Sequence, residues 1–528
     1  MTKNALLSVH NKTGIVEFAE ALINNGWTLY SSGGTASAIA AAHLPVTDVK
    51  VLTGFPAILG HRVVTLHPKV HGGILARTDN PDDQTDMADY GIQPFSLVVV
   101  NLYPFASDPS VDMIDVGGPT MVRGAAKNHA YVGVVTNPDQ YQLVLDELVA
   151  TDELSNATRE RLSIEAFAHT TRYELAISEW KSGGQNIGFF GEKVEDLKYG
   201  ENPYMTPAAL YVTEGDDPLA IHKFQLVEGD ARSLVGLTDV DRLLQIVTHI
   251  AAGYELNFGE VPLIAVGVKH GNACGAAVGS DPVDVIKRMI AGDKRAIFGG
   301  VIMTNFPITR EVAEELKRME QGDPPRMFDG VFAPSFDADA PEVLKRHLGK
   351  CRMMASPALA ELNINSLDSA RRFKQVRGGF LLQPNYTFVL DIRKSVIYGE
   401  TPNDSQLEDL VLAWAIGCAS NSNTITLTRD GQLLGNGVGQ QDRVGAAELA
   451  IKRATDAGHS LTGSVAWSDS FFPAPDGLQV LAKAGVTVIF ASSGSKQDAV
   501  VIAEADEYQI TLLTQPDSDA RGFFGHGV

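Results

Sequence analysis

Short apolar runs rich in branched residues recur through the first 180 or so residues, each followed by a segment of helical periodicity. That alternation limits the fold more than any other feature of the chain. Ala5–Val9 reads as a strand; Ile15, Phe18, Ala19, Leu22 and Ile23 then share one helical face, and Gly26 stops that helix. Trp27–Ser31 reads as a second strand, followed by paired glycines and an Ala-rich helix from Ala36. Leu97–Tyr103 and Tyr131–Val135 supply further buried strands. Strands alternating with helices predict a parallel sheet covered by helices, the doubly wound α/β arrangement.

Gly183, Gly184, Gly188 and Gly191 break this rhythm and predict a domain boundary near residue 190. Beyond it, residues 261–275 form an apolar run ending on Lys269 and His270, which reads as a buried parallel strand, a Gly-rich turn and a following helix. A loose internal duplication is expected, with Gly-rich segments at Val268–Gly279 in one copy and Gly435–Gly445 in the other. The second copy ends on the strands Val486–Phe490 and Ile510–Leu513.

A chain of 528 residues that is 44% apolar has ample material for a core, and its formal charge of −21 disfavours a nucleic-acid or acidic-membrane surface. Small anionic substrates stay open, because a pocket can be locally basic. Cys274, Cys351 and Cys418 are odd in number and far apart, so neither a disulfide framework nor a CxxC pair is expected. No secretory h-region and no membrane-length apolar stretch is present, so a cytoplasmic protein is expected.

Several loops carry chemistry. His270 beside Lys269 pairs an imidazole that can take a proton with an ammonium that can stabilise an oxyanion. Ser32-Gly33-Gly34-Thr35, between a strand and a helix, can cradle an anion, with Ser8 and Lys12 ending the first strand nearby. Arg62–Gly73 crowds basic and imidazole groups, including Thr65. His67 and His71 have the spacing of a helical metal pair, but Pro68 and the paired glycines oppose a helix, so no metal is expected. Thr120, Arg123 and Lys127 share a helical face after a Gly-Gly turn and Asp115. Lys198, Tyr199, Gly200 and Asn202 form a turn after the boundary. Asn423, Arg443 and Phe471 lie in later loops. A phosphate loop of the G-x-x-x-x-G-K-[ST] type and a zinc-deaminase ligand set are both missing.

Taken in order, these segments resemble the bifunctional purine-biosynthesis enzymes that join AICAR transformylase to IMP cyclohydrolase. The resemblance rests on Ser-Val-His-Asn-Lys-Thr-Gly, Ser-Gly-Gly-Thr, Thr-Leu-His-Pro-Lys-Val-His-Gly-Gly, Asn-Leu-Tyr-Pro-Phe and Ala-Ala-Lys-Asn-His in the first part. Later it rests on Val-Lys-His-Gly-Asn, Phe-Gly-Gly, Arg-Gly-Gly, Gly-Gln-Gln-Asp-Arg and Ser-Asp-Ser-Phe-Phe-Pro. It implies a methylglyoxal-synthase-like cyclohydrolase domain over residues 1–190. A transformylase domain over 191–528 would contain two zinc-free cytidine-deaminase-like units split near 365–400. It also implies a homodimer with transformylase sites between subunits. The reactions implied are formyl transfer from 10-formyltetrahydrofolate to AICAR, giving FAICAR, then dehydrative closure to IMP.

By that resemblance His270 takes the amine proton, Lys269 stabilises the oxyanion and Asn423 positions the reacting group. Arg443 and Lys198 face the nucleotide, and Asp476 holds the pterin. Tyr103, Asp115 and Lys127 handle protons in cyclisation, while Ser8, Lys12, Ser32, Gly33, Gly34 and Thr35 grip the phosphate. Arg62, Thr65, Arg123, Tyr199, Gly200, Asn202 and Phe471 complete the expected substrate contacts. The chain departs from the family pattern at Val64, where a Lys is usual, and at His10, Lys198, Tyr204, Met205, Ala296 and Ala474. Val64 leaves open a monofunctional transformylase, and the pocket changes leave open a non-catalytic nucleotide-binding protein.

Overall fold

A computed structural model of the chain describes residues 3–213, 215–230, 232–319 and 326–525. Two compact units emerge, Met1–Gly191 and Glu192–Val528. The first is built on five parallel strands in the order Thr47–Asp48, Thr28–Ser31, Asn4–Val9, Leu97–Asn101, Gly133–Val135. Asn4–Val9 lies at the centre, with Leu6 and Leu7 fully buried. The helix Ile15–Asn24 covers the sheet through Ile15, Phe18, Ala19 and Leu22, the stripe its spacing predicts. The Ala-rich helix starts earlier than expected, at Gly33, because Ser32 already occupies the N-cap.

A helix also runs over Pro68–Leu75, where the proline and the paired glycines were expected to oppose one. Pro68 sits in the first turn, where its missing N–H has no helical partner to lose. The His67 ring caps that turn, its Nδ1 accepting from the Lys69 amide at 3.1 Å. Gly73 is required by packing, since a Cβ there would lie 2.2 Å from the Gln93 carbonyl oxygen. Among the described residues, no group of three or more His, Cys, Asp or Glu side chains gathers as a metal set would.

The second unit is organised around one sheet of twelve strands. From one edge run Gln225–Glu228, Arg352–Ala355, Gly330–Ala333, Val301–Thr304, Leu263–Lys269 and Asn272–Gly279. From the other run Val396–Tyr398, Thr511–Pro516, Val486–Ser493, Ser464–Ser468, Ile425–Arg429 and Gln432–Gly437. The halves match strand for strand: an antiparallel edge strand, three mutually parallel strands, then an antiparallel hairpin. They meet at Ala277 opposite Gln432.

Two sequence expectations change here. Residues 261–275 are not a parallel strand leading into a helix but most of the first hairpin, antiparallel to its neighbours on both sides. Apolarity reports that a strand is buried, not which way its partners run. The duplicated partner of Asn272–Gly279 is Gln432–Gly437, not Gly435–Gly445. The glycines mark places where a helix lies directly on a strand. A Cβ at Gly275 would stand 2.2 Å from the Met289 carbonyl oxygen, and one at Gly435 2.2 Å from that of Ala450.

Helices Leu234–Phe258 and Asp404–Gly417 are the equivalent central helices of the two halves, and their buried residues join one core. Gly253 lets them approach, because a Cβ there would be 2.8 Å from both Trp414 and Val411. The interval 365–400 holds a separate hairpin, Arg372–Val376 with Gly379–Gln383, whose Phe373, Phe380 and Leu381 are exposed. Among the described residues no helix is long and apolar enough to cross a membrane.

Candidate functional site

In the first unit the strand order reverses beside Asn4–Val9, so the loops leaving the carboxyl ends of neighbouring strands diverge around a crevice. The cavity there measures about 1010 Å³. Ser8, Lys12, Ser32, Gly33, Gly34 and Thr35 line it, as do Arg62, Val64, Thr65, Tyr103 and Asp115. The first amides of the helix Gly33–Ala41 donate no bond to the Ser32 side chain. Lys12 lies over them, since a Cβ on Gly34 would be 3.5 Å from its ammonium. Free helical N–H groups beneath a cation make a cradle for a phosphate.

Thr35 lines the cavity and also ties two elements together. Its hydroxyl accepts from the Val9 amide at 3.0 Å and donates to the Val9 carbonyl at 3.0 Å, tying the helix to the central strand. Asp115 is held by its surroundings: its carboxylate accepts from the Gly118 amide at 2.9 Å, and its own amide donates to the Tyr173 hydroxyl at 2.6 Å. Burial raises its carboxyl above the ordinary range, against the Gly118 and Gly117 amides and the nearby His10, which act to lower it. That favours a proton on Asp115 at higher pH than usual. His10 meets Tyr103 edge-on with ring centres 5.4 Å apart. Arg62 pairs with Asp112 at 3.0 Å on the surface. Arg123 and Lys127 occupy exposed positions of the helix Gly117–Lys127 and do not line this cavity.

In the second unit Lys269 and His270 line one cavity of about 240 Å³ together with Tyr199, Asp239, Gly299 and Asp329. The Lys269 ammonium donates to the Phe298 carbonyl at 2.5 Å, which holds it beside the turn at Gly299. Lys198 pairs with Asp230 at 3.0 Å, both half exposed. Gly200 donates to the Met205 carbonyl at 2.8 Å, and a Cβ on it would crowd Met205, so the turn through Asn202 is tight.

The remaining expected residues gather in the other half. Arg443 starts the helix Arg443–Asp456 and forms a buried ion pair with Asp469. Asn423 donates through its side chain to the Gln440 carbonyl at 2.9 Å. Phe471 lies 5.8 Å from the Arg521 guanidinium, and Asp476 opens the helix Asp476–Lys483. None of these four lines the cavity holding Lys269 and His270. Between the halves the central strands separate around a cavity of about 340 Å³ that also touches Lys269 and His270. Cys274 lines it, but burial pushes its thiol up to about 12, so it stays protonated and is no nucleophile.

A family model described as AICARFT/IMPCHase bienzyme matches residues 125–453, and an MGS-like domain model matches residues 14–120. The bifunctional purine biosynthesis protein PurH of Bacillus cytotoxicus is 37% identical over 97% of this chain and 98% of its own length. The chain belongs to the AICARFT/IMPCHase bienzyme family. The PurH protein of Bacillus mycoides is equally similar, 37% identical over the same shares of both chains.

Two acidic residues outside the sequence motifs belong to the same cavity wall. Asp239 and Asp329 both line the cavity of Lys269 and His270. Asp329-Gly330 immediately precedes the apolar run Val331–Ala333, a strand-entry signal that could have flagged it. Asp239 gives no such signal, because it lies inside a helix and its partners are some thirty residues further on.

Proposed function

We propose that the two units divide the two reactions of the bienzyme. Residues 1–190 would close the purine ring and residues 191–528 would transfer the formyl group. The enzyme serves de novo purine biosynthesis: it transfers formyl from 10-formyltetrahydrofolate to AICAR and closes the resulting FAICAR to IMP. The observation that carries the residue-level reading is the placement of Lys269 and His270 on one cavity wall.

The 5-amino group of AICAR is a weak nucleophile, because its lone pair is shared with the heterocycle. His270 takes its proton as the nitrogen attacks the formyl carbon, and Lys269 stabilises the oxyanion of the tetrahedral intermediate. Collapse breaks the bond to the folate nitrogen, which takes up the proton. In the first unit the phosphate sits on the amides of Gly33 and Gly34 under Lys12. The carboxamide nitrogen attacks the formyl carbon of the same molecule, so orientation supplies much of the rate. Asp115, whose carboxyl holds a proton above the ordinary carboxylate range, assists the departure of water, with Tyr103 lining the same cavity.

Asn423, Arg443, Phe471 and Asp476 complete the transformylase site from a second copy of the chain, a reading supported by their separation from His270 within one protomer. The enzyme works as a homodimer in the cytoplasm. The test is a paired assay. AICAR with 10-formyltetrahydrofolate is consumed by the wild type and not by His270→Ala; unaltered turnover in that variant refutes the base assignment. FAICAR alone yields IMP faster than buffer does; no acceleration leaves a monofunctional transformylase.

A further inference from the structure

The tip of the first hairpin consists of His270 and Gly271, with φ of 51° and 69°. Two consecutive left-handed residues make a type I′ turn, which a glycine enters freely and a histidine at a modest steric cost. What holds it is Asp239, buried within the helix Leu234–Phe258, whose carboxylate accepts from the Gly271 amide at 2.6 Å. That carboxylate also lines the cavity on which the imidazole opens.

The second half repeats the device. Its hairpin turns through Asp430 and Gly431, with φ of 53° and 67°. Asp409, buried in the equivalent helix Asp404–Gly417, accepts from their amides at 2.9 and 2.7 Å. The surroundings differ. Arg288 covers the second turn, donating to the carbonyls of Asp430 and Gly431 at 2.9 and 3.0 Å, so that tip is closed. The first tip carries an imidazole and faces a cavity. One structural element thus occurs twice, once at a reactive side chain and once away from it.

We infer that Asp239 is a positioning residue for formyl transfer, fixing the His270 turn so that the imidazole meets the attacking amine, while Asp409 serves folding alone. The inference rests on the reading of His270 as the base. An imidazole carried on a strained two-residue turn is only as well placed as the turn, and a displacement near 1 Å lowers a rate by about 100-fold.

The test compares matched variants of the full-length enzyme by formyl-transfer kinetics and by urea unfolding. Asp239→Ala and Asp409→Ala each remove the buried acceptor of the turn amides, one at Asp239 and two at Asp409, and both should lower the urea midpoint. Asp239→Ala should lose about 100-fold in kcat with the AICAR KM within about threefold, whereas Asp409→Ala should stay within about twofold of wild type. Asp239→Asn, which keeps one acceptor oxygen, should fall between, near a tenfold loss. Equal kcat for Asp239→Ala and Asp409→Ala overturns the inference. If either alanine variant fails to fold, Asp239→Asn against Asp409→Asn decides by the same criterion. His270→Ala is run alongside: full turnover there removes the base assignment, while a dead His270→Ala with an active Asp239→Ala removes only the positioning role.

Discussion

Replacing Thr35 with valine keeps the shape of a buried side chain and deletes one oxygen. That oxygen makes two hydrogen bonds, both to Val9, at the point where the central strand of the first unit gives way to the Ser8–Lys12 loop. Thr35 is only 4% exposed, so water cannot replace the lost partner. Leaving a buried donor and a buried acceptor short of a partner costs about 1–3 kcal/mol each, so Thr35→Val should lose about 2–6 kcal/mol from the first unit. Thr35→Ser keeps the hydroxyl and should lose much less. Hydrogen exchange of peptides spanning Val9, with urea unfolding, reads the stability. Ring-closure kinetics with FAICAR read the cradle, whose KM should rise as the Lys12 loop loosens, while formyl transfer is unchanged. A Thr35→Val protein within about 0.5 kcal/mol of wild type, with normal Val9 protection, would refute the reasoning.

Val64→Lys places a cation on the wall of the first unit's cavity and, if ring closure takes place there, should raise FAICAR turnover by about tenfold, measured as IMP formed per enzyme, in the range of one added charged hydrogen bond. Gly118→Ala should abolish ring closure and spare formyl transfer in the same paired assay, because its Cβ would lie 2.2 Å from an Asp115 carboxylate oxygen. Asp409 titrates near 6 because burial outweighs the turn amides that favour its anion. The folded state therefore binds this proton more tightly than the unfolded chain, and stability declines as pH rises from about 4 through about 6. Between pH 4 and 7 the wild type should lose about 2–3 kcal/mol relative to Asp409→Asn in urea titrations.

The elements that were legible in the sequence are those whose partners are local. The stripe of Ile15, Phe18, Ala19 and Leu22 announces its helix, and the apolar runs at Ala5–Val9 and Leu97–Asn101 announce buried strands. The hairpin direction at Lys269 and His270 was not legible, because histidine in a left-handed turn position leaves no compositional mark beyond the following glycine. The helix over Pro68–Leu75 was hidden for the opposite reason. Its glycines look like breakers until the Gln93 carbonyl is seen against Gly73. Site residues named from motifs reached their cavities where the motif itself forms the wall, as at Ser32–Thr35 and Lys269–His270. The Thr35 hydroxyl is also engaged by Val9, a contact across 26 positions that no local pattern encodes. Asp239 is the same case at greater distance.

The two rims of the twelve-stranded sheet are stubs, Gln225–Glu228 at one end and Val396–Tyr398 at the other. Such brief borders offer an incoming chain almost no backbone to zip against, which guards a twelve-stranded sheet from edge-to-edge polymerisation. Any chain that docks on this sheet must therefore clasp side chains and loops instead of extending the ladder, and variants that lengthen either stub should aggregate through the exposed edge.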